Sequence, residues 1–113
     1  MGLVVLHLHL HGLLRGHDPE LGRDSDTGGQ TLYVLELARA LAERSEVERV
    51  EVLTRRMVDP AVSPDYAEPE ERLGPRLWIR RLPFGPRSYL PKEELWPHLD
   101  ELVSSLAAFL LAA

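Results

Sequence analysis

The chain has 113 residues, enough for one domain, and its 18 acidic and 13 basic side chains give a net charge of −5. This charge balance argues against a general nucleic-acid binder, which needs a net basic face. The chain has no cysteine, which excludes disulfides and cysteine-ligated metal sites.

The first predicted element is a strand in the apolar run LVVLHLHL, from Leu3 to Leu10. Continuous runs rich in aliphatic and β-branched residues are typical of strands buried on both faces of a parallel sheet. Eight residues are too few to cross a bilayer, and no basic segment or small-residue cleavage site marks a signal peptide. We therefore expect a soluble, cytoplasmic protein. A polar loop from His11 to Thr27 follows the strand.

The next segment has a helical pattern. The helix is expected to begin at Gly28 or Gly29 and to end near Ser45, with Asp26 or Thr27 as its N-cap. Its apolar residues form two adjoining stripes, which predict a helix between a sheet and another layer. One stripe holds Tyr33, Leu37 and Leu41, and the other holds Val34, Leu35, Ala38 and Ala42.

Two more strands are predicted on either side of a long loop. VERVEVLT, from Val47 to Thr54, alternates as a strand and completes a right-handed βαβ unit. The Pro-rich, acidic stretch from Arg55 to Pro75 is expected to have no regular structure beyond turns. RLWIRRLPF, from Arg76 to Phe84, is the third predicted strand.

A second helix is predicted from about Pro91 to the C-terminus, because proline suits a first helical turn. The order β-α-β-β-α indicates an α/β fold: a Rossmann-like half-domain with a mostly parallel, three-stranded sheet. Parallel sheets usually have more strands, so we expect residues 1–113 to form a single segment from the start of a larger doubly wound domain. The apolar stripe of the second helix consists of Leu95, Leu99, Leu102, Val103, Leu106, Phe109 and Leu110.

The stretch GRDSDTGGQT, before the first helix, allows three interpretations. The Asp24-Ser25-Asp26 sequence is an Asp-x-Asp of the kind that holds divalent ions, although no EF-hand pattern continues from it. Asp and Thr before a helix also cap its free N–H groups. Capping alone does not explain Gly28 and Gly29, which would let a ligand approach the backbone at the positive helix end. Gln30 adds a side chain that can hydrogen-bond a hydroxyl or a phosphate.

Three histidines alternate at the first strand. His7, His9 and His11 would share one face, where three imidazoles could bind Zn or Ni, but one strand rarely supplies a whole zinc site. Packing is the simpler interpretation of His7 and His9, although a buried imidazole needs a hydrogen-bond partner. His11, next to the loop, is a candidate ligand-binding residue.

Arginine and tryptophan residues have both structural and functional interpretations. Arginine is a good phosphate ligand, but ion pairing with the acidic segment from Asp65 to Glu71 is the favoured explanation. Trp78 and Trp96 are expected to pack and not to act as stacking platforms. The arginines concerned are Arg55, Arg56, Arg80, Arg81 and Arg87.

The blocks HG, ELGRDSDTGGQ, YVLELARAL and KEELWPHLDE resemble the N-terminal part of sucrose-phosphate synthases. That family belongs to the sucrose synthase group of retaining GT-B glycosyltransferases. The resemblance runs from about Leu10 to Leu102, and GRDSDTGGQ and KEELWP together make it specific. It implies a Rossmann-like domain that binds fructose 6-phosphate, facing a second domain that holds most of UDP-glucose.

The resemblance also implies roles for particular residues. Gly28, Gly29 and Gln30 fall on the Gly-rich loop that approaches the donor phosphates and the acceptor sugar. Lys92 falls on a basic residue that meets the acceptor phosphate. With His11, these are the predicted substrate-binding residues, and no cofactor or metal is expected.

Some features depart from the family pattern. The strand before HG is unusual, Leu32 replaces a commonly polar or basic residue, and the ending is rich in Ala and Leu. The donor domain is absent, so no catalytic residue is assigned and the segment alone is expected to be inactive. The alternative is a non-catalytic α/β scaffold, natural or engineered, that self-associates through uncovered apolar surface.

Overall fold

The computed structural model describes residues 2–21, 23 and 27–112, which form four strands and two α-helices. Short 3₁₀ turns at Pro64–Ala67, Lys92–Glu94 and Trp96–His98 lie between them. None of the helices in these residues is long and apolar enough to cross a membrane. The elements are β1 (Leu3–Leu8), α1 (Gly29–Ala42), β2 (Val47–Arg55), β3 (Glu70–Gly74), β4 (Leu77–Leu82) and α2 (Leu99–Ala112).

The strands form one sheet in the order β1-β2-β4-β3. β1 and β2 are parallel, as are β2 and β4, whereas β3 pairs antiparallel with β4. Val5 lies opposite Val50, and Val52 lies opposite Ile79, so apolar side chains align across the sheet. The predicted α/β, mostly parallel architecture is confirmed.

The expectation of three strands is wrong, because β3 lies inside the stretch predicted to be irregular. Its sequence, EERLG, is too polar to read as a buried strand, and none of its residues is fully buried. β3 is an edge strand, which needs only one partner, and the two-residue link to β4 supplies that partner locally. The rest of the stretch agrees with the prediction, since its regular structure among the described residues is limited to the short 3₁₀ turn Pro64–Ala67 and the last residue of β2, Arg55.

α1 packs on one face of the sheet through a single stripe. Val34, Leu35 and Ala38 are buried against a core that includes Val50 and Ile79. Tyr33 is 63% exposed, so the prediction of a helix covered on two sides is wrong at Tyr33. The helix also ends three residues before the predicted Ser45.

α2 packs on the opposite face, but the predicted single helix is broken at its start. Pro97 lies in the first turn of Trp96–His98, and proline cannot donate the backbone hydrogen bond that an uninterrupted helix needs there. Leu102 is buried in a second core cluster with Leu53 and Phe84. Val103 is exposed, so the packed stripe is narrower than predicted.

The prediction that arginines pair with the acidic segment is confirmed for the two arginines of β4. Among the described residues it is wrong for the other three, which form no ion pair with that segment: Arg55, Arg56 and Arg87. Arg80 pairs with Glu70, and Arg81 pairs with Glu71 at 2.8 Å. The side chain of Arg81 is only 1% exposed and also donates to the carbonyl of Leu14 at 2.8 Å. β3 is therefore attached to the body of the sheet by charge as well as by backbone hydrogen bonds.

Replacing Glu71 tests this attachment. Glu71→Ala would leave the buried Arg81 guanidinium without its carboxylate, and we expect a loss of about 3 kcal/mol in the free energy of unfolding. Glu70→Ala is the matched control, because the Glu70 side chain is 64% exposed and such a pair is worth less than about 1 kcal/mol. Urea denaturation measures both, and equal effects of the two substitutions would contradict this account.

Candidate functional site

The candidate site lies at the carboxyl edge of the parallel strands. His9 and His11 follow β1 directly, and α1 begins at the same edge because it runs back along the sheet to β2. In open α/β sheets this edge is where ligands bind.

The start of α1 is open. Gly28 is the N-cap residue, with no side-chain cap, and its carbonyl accepts from the backbone N–H of Thr31 at 3.0 Å. A Cβ added at Gly28 or Gly29 would meet no atom within 4 Å, and neither glycine has a positive φ. Neither packing nor backbone geometry in the described residues requires glycine here, so the pair leaves the helix end accessible.

The N-cap prediction is wrong for Thr27. Its side chain is buried and its Oγ1 accepts from the backbone N–H of Leu13 at 2.9 Å, so it ties the loop after β1 to the helix start. From the sequence, a Thr just before a helix that caps the helix cannot be distinguished from one that anchors a neighbouring loop. Asp24 and Asp26, which one interpretation of this stretch treats as an Asp-x-Asp for a divalent ion, lie outside the described residues, and so does the alternative N-cap, Asp26.

His11 and Gln30 are joined by a hydrogen bond. The distance from His11 Nε2 to Gln30 Oε1 is 2.9 Å, and because an amide oxygen only accepts, the imidazole donates. The carboxamide is thereby oriented, and its NH₂ group stays available as a donor. Gln30 is exposed, so this group can reach a ligand.

Lys92 shares a cavity with His11. The cavity has a volume of about 340 Å³, and its wall is mostly apolar. The structure thus brings Lys92, His11 and Gln30 to one region of the edge, with His11 as the link between them. The lining residues are Leu10, His11, Lys92, Glu93, Leu95, Trp96 and Leu99.

Trp96 is a residue that the sequence prediction misjudged. It lines this cavity and is 70% exposed, so packing does not explain it. An exposed indole offers a ligand a large apolar surface together with an N–H donor. The adjoining Pro97, which interrupts the helix, was the available signal that Trp96 would not sit on a regular packed stripe.

His9 is buried and electrically neutral at pH 7. Burial, and then the neighbouring His11 and His7, lower its pKa from 6.5 to about 4. Its ring lies 4.9 Å from that of His11, and its Nε2 has no hydrogen-bond partner among the described residues. Across those residues, no group of three or more His, Cys, Asp or Glu side chains could hold a metal ion, which leaves the three-histidine metal hypothesis without structural support.

The chain is similar in sequence to sucrose-phosphate synthases. It is 49% identical over 116 residues to a probable sucrose-phosphate synthase of Vicia faba and 46% identical over 124 residues to sucrose-phosphate synthase 1 of Arabidopsis thaliana. These alignments cover 89% and 96% of this chain. The chain spans only 11% and 12% of the two relatives. No protein-family model matches the chain.

The fold is similar to that of a solved sucrose-phosphate synthase from Thermosynechococcus elongatus. The TM-score is 0.71 at 30% identity, over 94% of this chain and 24% of that one. A second structure from the same organism superposes with a TM-score of 0.63 at 22% identity, which supports the fold alone.

Acid should destabilise the protein through His9. Since its pKa is lower in the folded than in the unfolded chain, the unfolded state binds the extra proton, and stability falls as the pH drops from 6.5 towards 4. We expect the free energy of unfolding, measured by urea denaturation, to fall by at most about 2 kcal/mol between pH 7 and pH 5. His9→Asn should remove most of this slope. His17→Asn, at an exposed histidine, should retain it, and an unchanged slope in His9→Asn would refute the assignment.

Proposed function

We propose that this chain, which is similar in sequence and fold to sucrose-phosphate synthases, belongs to that family and forms part of the acceptor side of a glycosyltransferase. The reaction would move glucose from UDP-glucose to fructose 6-phosphate with retention of the anomeric configuration. The proposed location is the cytoplasm, and neither nucleic acid nor a membrane is among the proposed partners.

The observation that carries this proposal is the set of donors around His11. The open start of α1 offers backbone N–H groups, and the helix dipole makes that end positive. Gln30, held by His11, offers its NH₂, and Lys92 supplies a cation beside the same histidine. Hydrogen-bond donors beside a mostly apolar cavity wall favour a ligand that combines an anionic group with a sugar ring, such as a sugar phosphate.

Each residue then has a distinct proposed task. Lys92 would bind the phosphate of the acceptor, and Gln30 would bind a sugar hydroxyl. Gly28 and Gly29 would let the sugar or the donor phosphates approach the backbone. His11 would act as a positioning residue for Gln30, and no catalytic residue is assigned to this chain.

The chain alone should be inactive in glucosyl transfer. Catalysis between two bound substrates depends on holding them in reacting geometry, and the proposed donor-binding domain is outside these 113 residues. Binding of the acceptor is therefore the property to measure.

Lys92 offers a direct test, because it is the only lysine in the chain. Reductive ¹³C-methylation gives one lysine signal, which should shift saturably when fructose 6-phosphate is added. Fructose should shift it far less, since it lacks the phosphate. In ¹⁵N spectra of unmodified protein, Lys92→Gln should weaken binding about tenfold, the loss of one charge-assisted hydrogen bond.

Arg44→Gln is the matched control. The Arg44 side chain is 66% exposed and pairs with Glu46, so its loss should leave the affinity for fructose 6-phosphate unchanged. If fructose 6-phosphate moves neither the Lys92 signal nor the amides of Gly28 and Gly29 at high millimolar concentration, the binding proposal fails.

A second candidate function, self-association as a scaffold, rests on the free edge of β1. Within the described part of the chain, β1 pairs only with β2, and the exposed residues Leu3, Val4 and Leu8 make this edge apolar. Such an edge can pair with a strand of a second copy.

Light scattering at several protein concentrations tests self-association. The scaffold candidate predicts a dimer whose population falls on dilution, and Val4→Lys should shift it to monomer by placing a charge at the edge. Glu43→Lys, at the exposed end of α1, should leave the dimer intact. A monomer at every concentration would rule the candidate out.

A further inference from the structure

A second group of basic side chains lies at the same edge of the sheet, beyond the ends of β2 and β4. Arg56 and Arg87 line a cavity of about 200 Å³. We propose that this cavity binds a phosphate group, separately from the residues around Lys92 and whether or not the proposed function holds. The other lining residues are Val58, Pro83, Phe84, Gly85, Pro86 and Glu101.

The loop that carries Arg87 is fixed at three successive carbonyls. Arg55, which is 1% exposed, donates from one guanidinium nitrogen to the carbonyl of Pro86 and from another to that of Ser88. The carbonyl of Arg87 accepts from the backbone N–H of Val58 at 2.8 Å. The Arg87 backbone is therefore held in place before any ligand arrives, which lowers the entropic cost of binding.

A second contact supports the same loop. Gly85 has a φ of +69°, and a Cβ there would come within 3.0 Å of the His98 ring, so the turn fits closely against the segment before α2. Its N–H donates to Glu101 at 2.9 Å. Glu101 thus acts as a support for the cavity wall.

Arg56, the other arginine that lines the cavity, is also fixed. Its backbone N–H donates to Leu82 at 2.9 Å, and its Nε–H donates to the carbonyl of Ala67. Among the described residues, its terminal nitrogens have no carboxylate partner, and the same holds for Arg87. By contrast, Arg80 and Arg81 are neutralised by Glu70 and Glu71.

The charge of the lining favours an oxyanion. The lining includes two arginines and one carboxylate, that of Glu101, whose oxygens already lie 2.9 Å from the Gly85 nitrogen and 3.6 Å from His98 Nδ1. A guanidinium binds phosphate through paired N–H groups, and two of them can bind different oxygens. The cavity volume suits a phosphate bearing a small organic group as well as inorganic phosphate.

The experiment is a titration of the full chain with inorganic phosphate at constant ionic strength, followed by ¹⁵N NMR. The amides of Gly85 and Arg87 and the Nε–H of Arg56 should shift saturably. Glycerol phosphate, added in a parallel titration, should produce the same shifts if a phosphate monoester is also accepted. If inorganic phosphate produces the shifts and glycerol phosphate does not, the cavity binds the free phosphate ion and not a phosphate monoester.

Variants assign the binding to this cavity. Arg87→Gln, at an exposed side chain that should not affect folding, is expected to weaken phosphate binding about tenfold. Arg56→Gln should weaken it similarly, and Arg44→Gln, at the exposed arginine used as a control above, should not. Thermal melts establish that each variant is folded.

Lys92→Gln separates this proposal from the proposed function. The shifts at Gly85 and Arg87 should persist in that variant, even if binding of fructose 6-phosphate is lost. The proposal is overturned if these shifts vanish in Lys92→Gln, if they do not saturate, or if Arg87→Gln binds phosphate like the unmodified protein.

Discussion

The buried guanidinium of Arg55 is the interaction on which the functional edge of this structure depends. It ends β2, and its hydrogen bonds to the carbonyls of Pro86 and Ser88 hold the loop that leaves β4. Burial lowers the pKa of Arg55, which reflects the cost of taking a cation out of water. The carbonyl dipoles of the loop offset part of that cost, so removing the loop would leave the buried charge unsatisfied. The Arg55 guanidinium and the loop after β4 therefore stabilise each other.

The loop after β4, which Arg55 holds in place, contributes residues to both cavities at this edge of the sheet. Towards β1, it leads to Lys92, which lines a cavity with His11. It also carries Arg87, which lines a second cavity together with Arg56. A chain with a net charge of −5 therefore has two donor-rich regions at one edge of its sheet. Net charge describes the whole surface and says little about a site, because the field near a ligand is set by the nearest groups.

The part of the candidate site at the start of α1 could be predicted, because its residues form a recognisable local pattern in the sequence. Gly28, Gly29 and Gln30 stand out because a helix start seldom needs two glycines, and the structure finds no internal reason for them. Their binding role stays a prediction. The pairing of His11 with Gln30 could not be foreseen, because 19 positions separate the two residues and only the packing of α1 on the sheet brings them together. Trp96 was misjudged because exposure depends on which neighbouring elements cover a residue.

By itself, the sequence determined the α/β class, the approximate positions of both helices and three strands, and the ion pairs of Arg80 and Arg81. These follow from hydrophobic periodicity and local charge, which act over a few residues. Only the tertiary structure decided that EERLG is a strand, that Thr27 anchors a loop, and that Arg56 and Arg87 share a cavity. EERLG becomes a strand because β4, which follows it after two residues, completes its backbone hydrogen bonds. The other two features depend on contacts between segments distant in the chain, whose geometry is set when the strands pair and the helices pack on them.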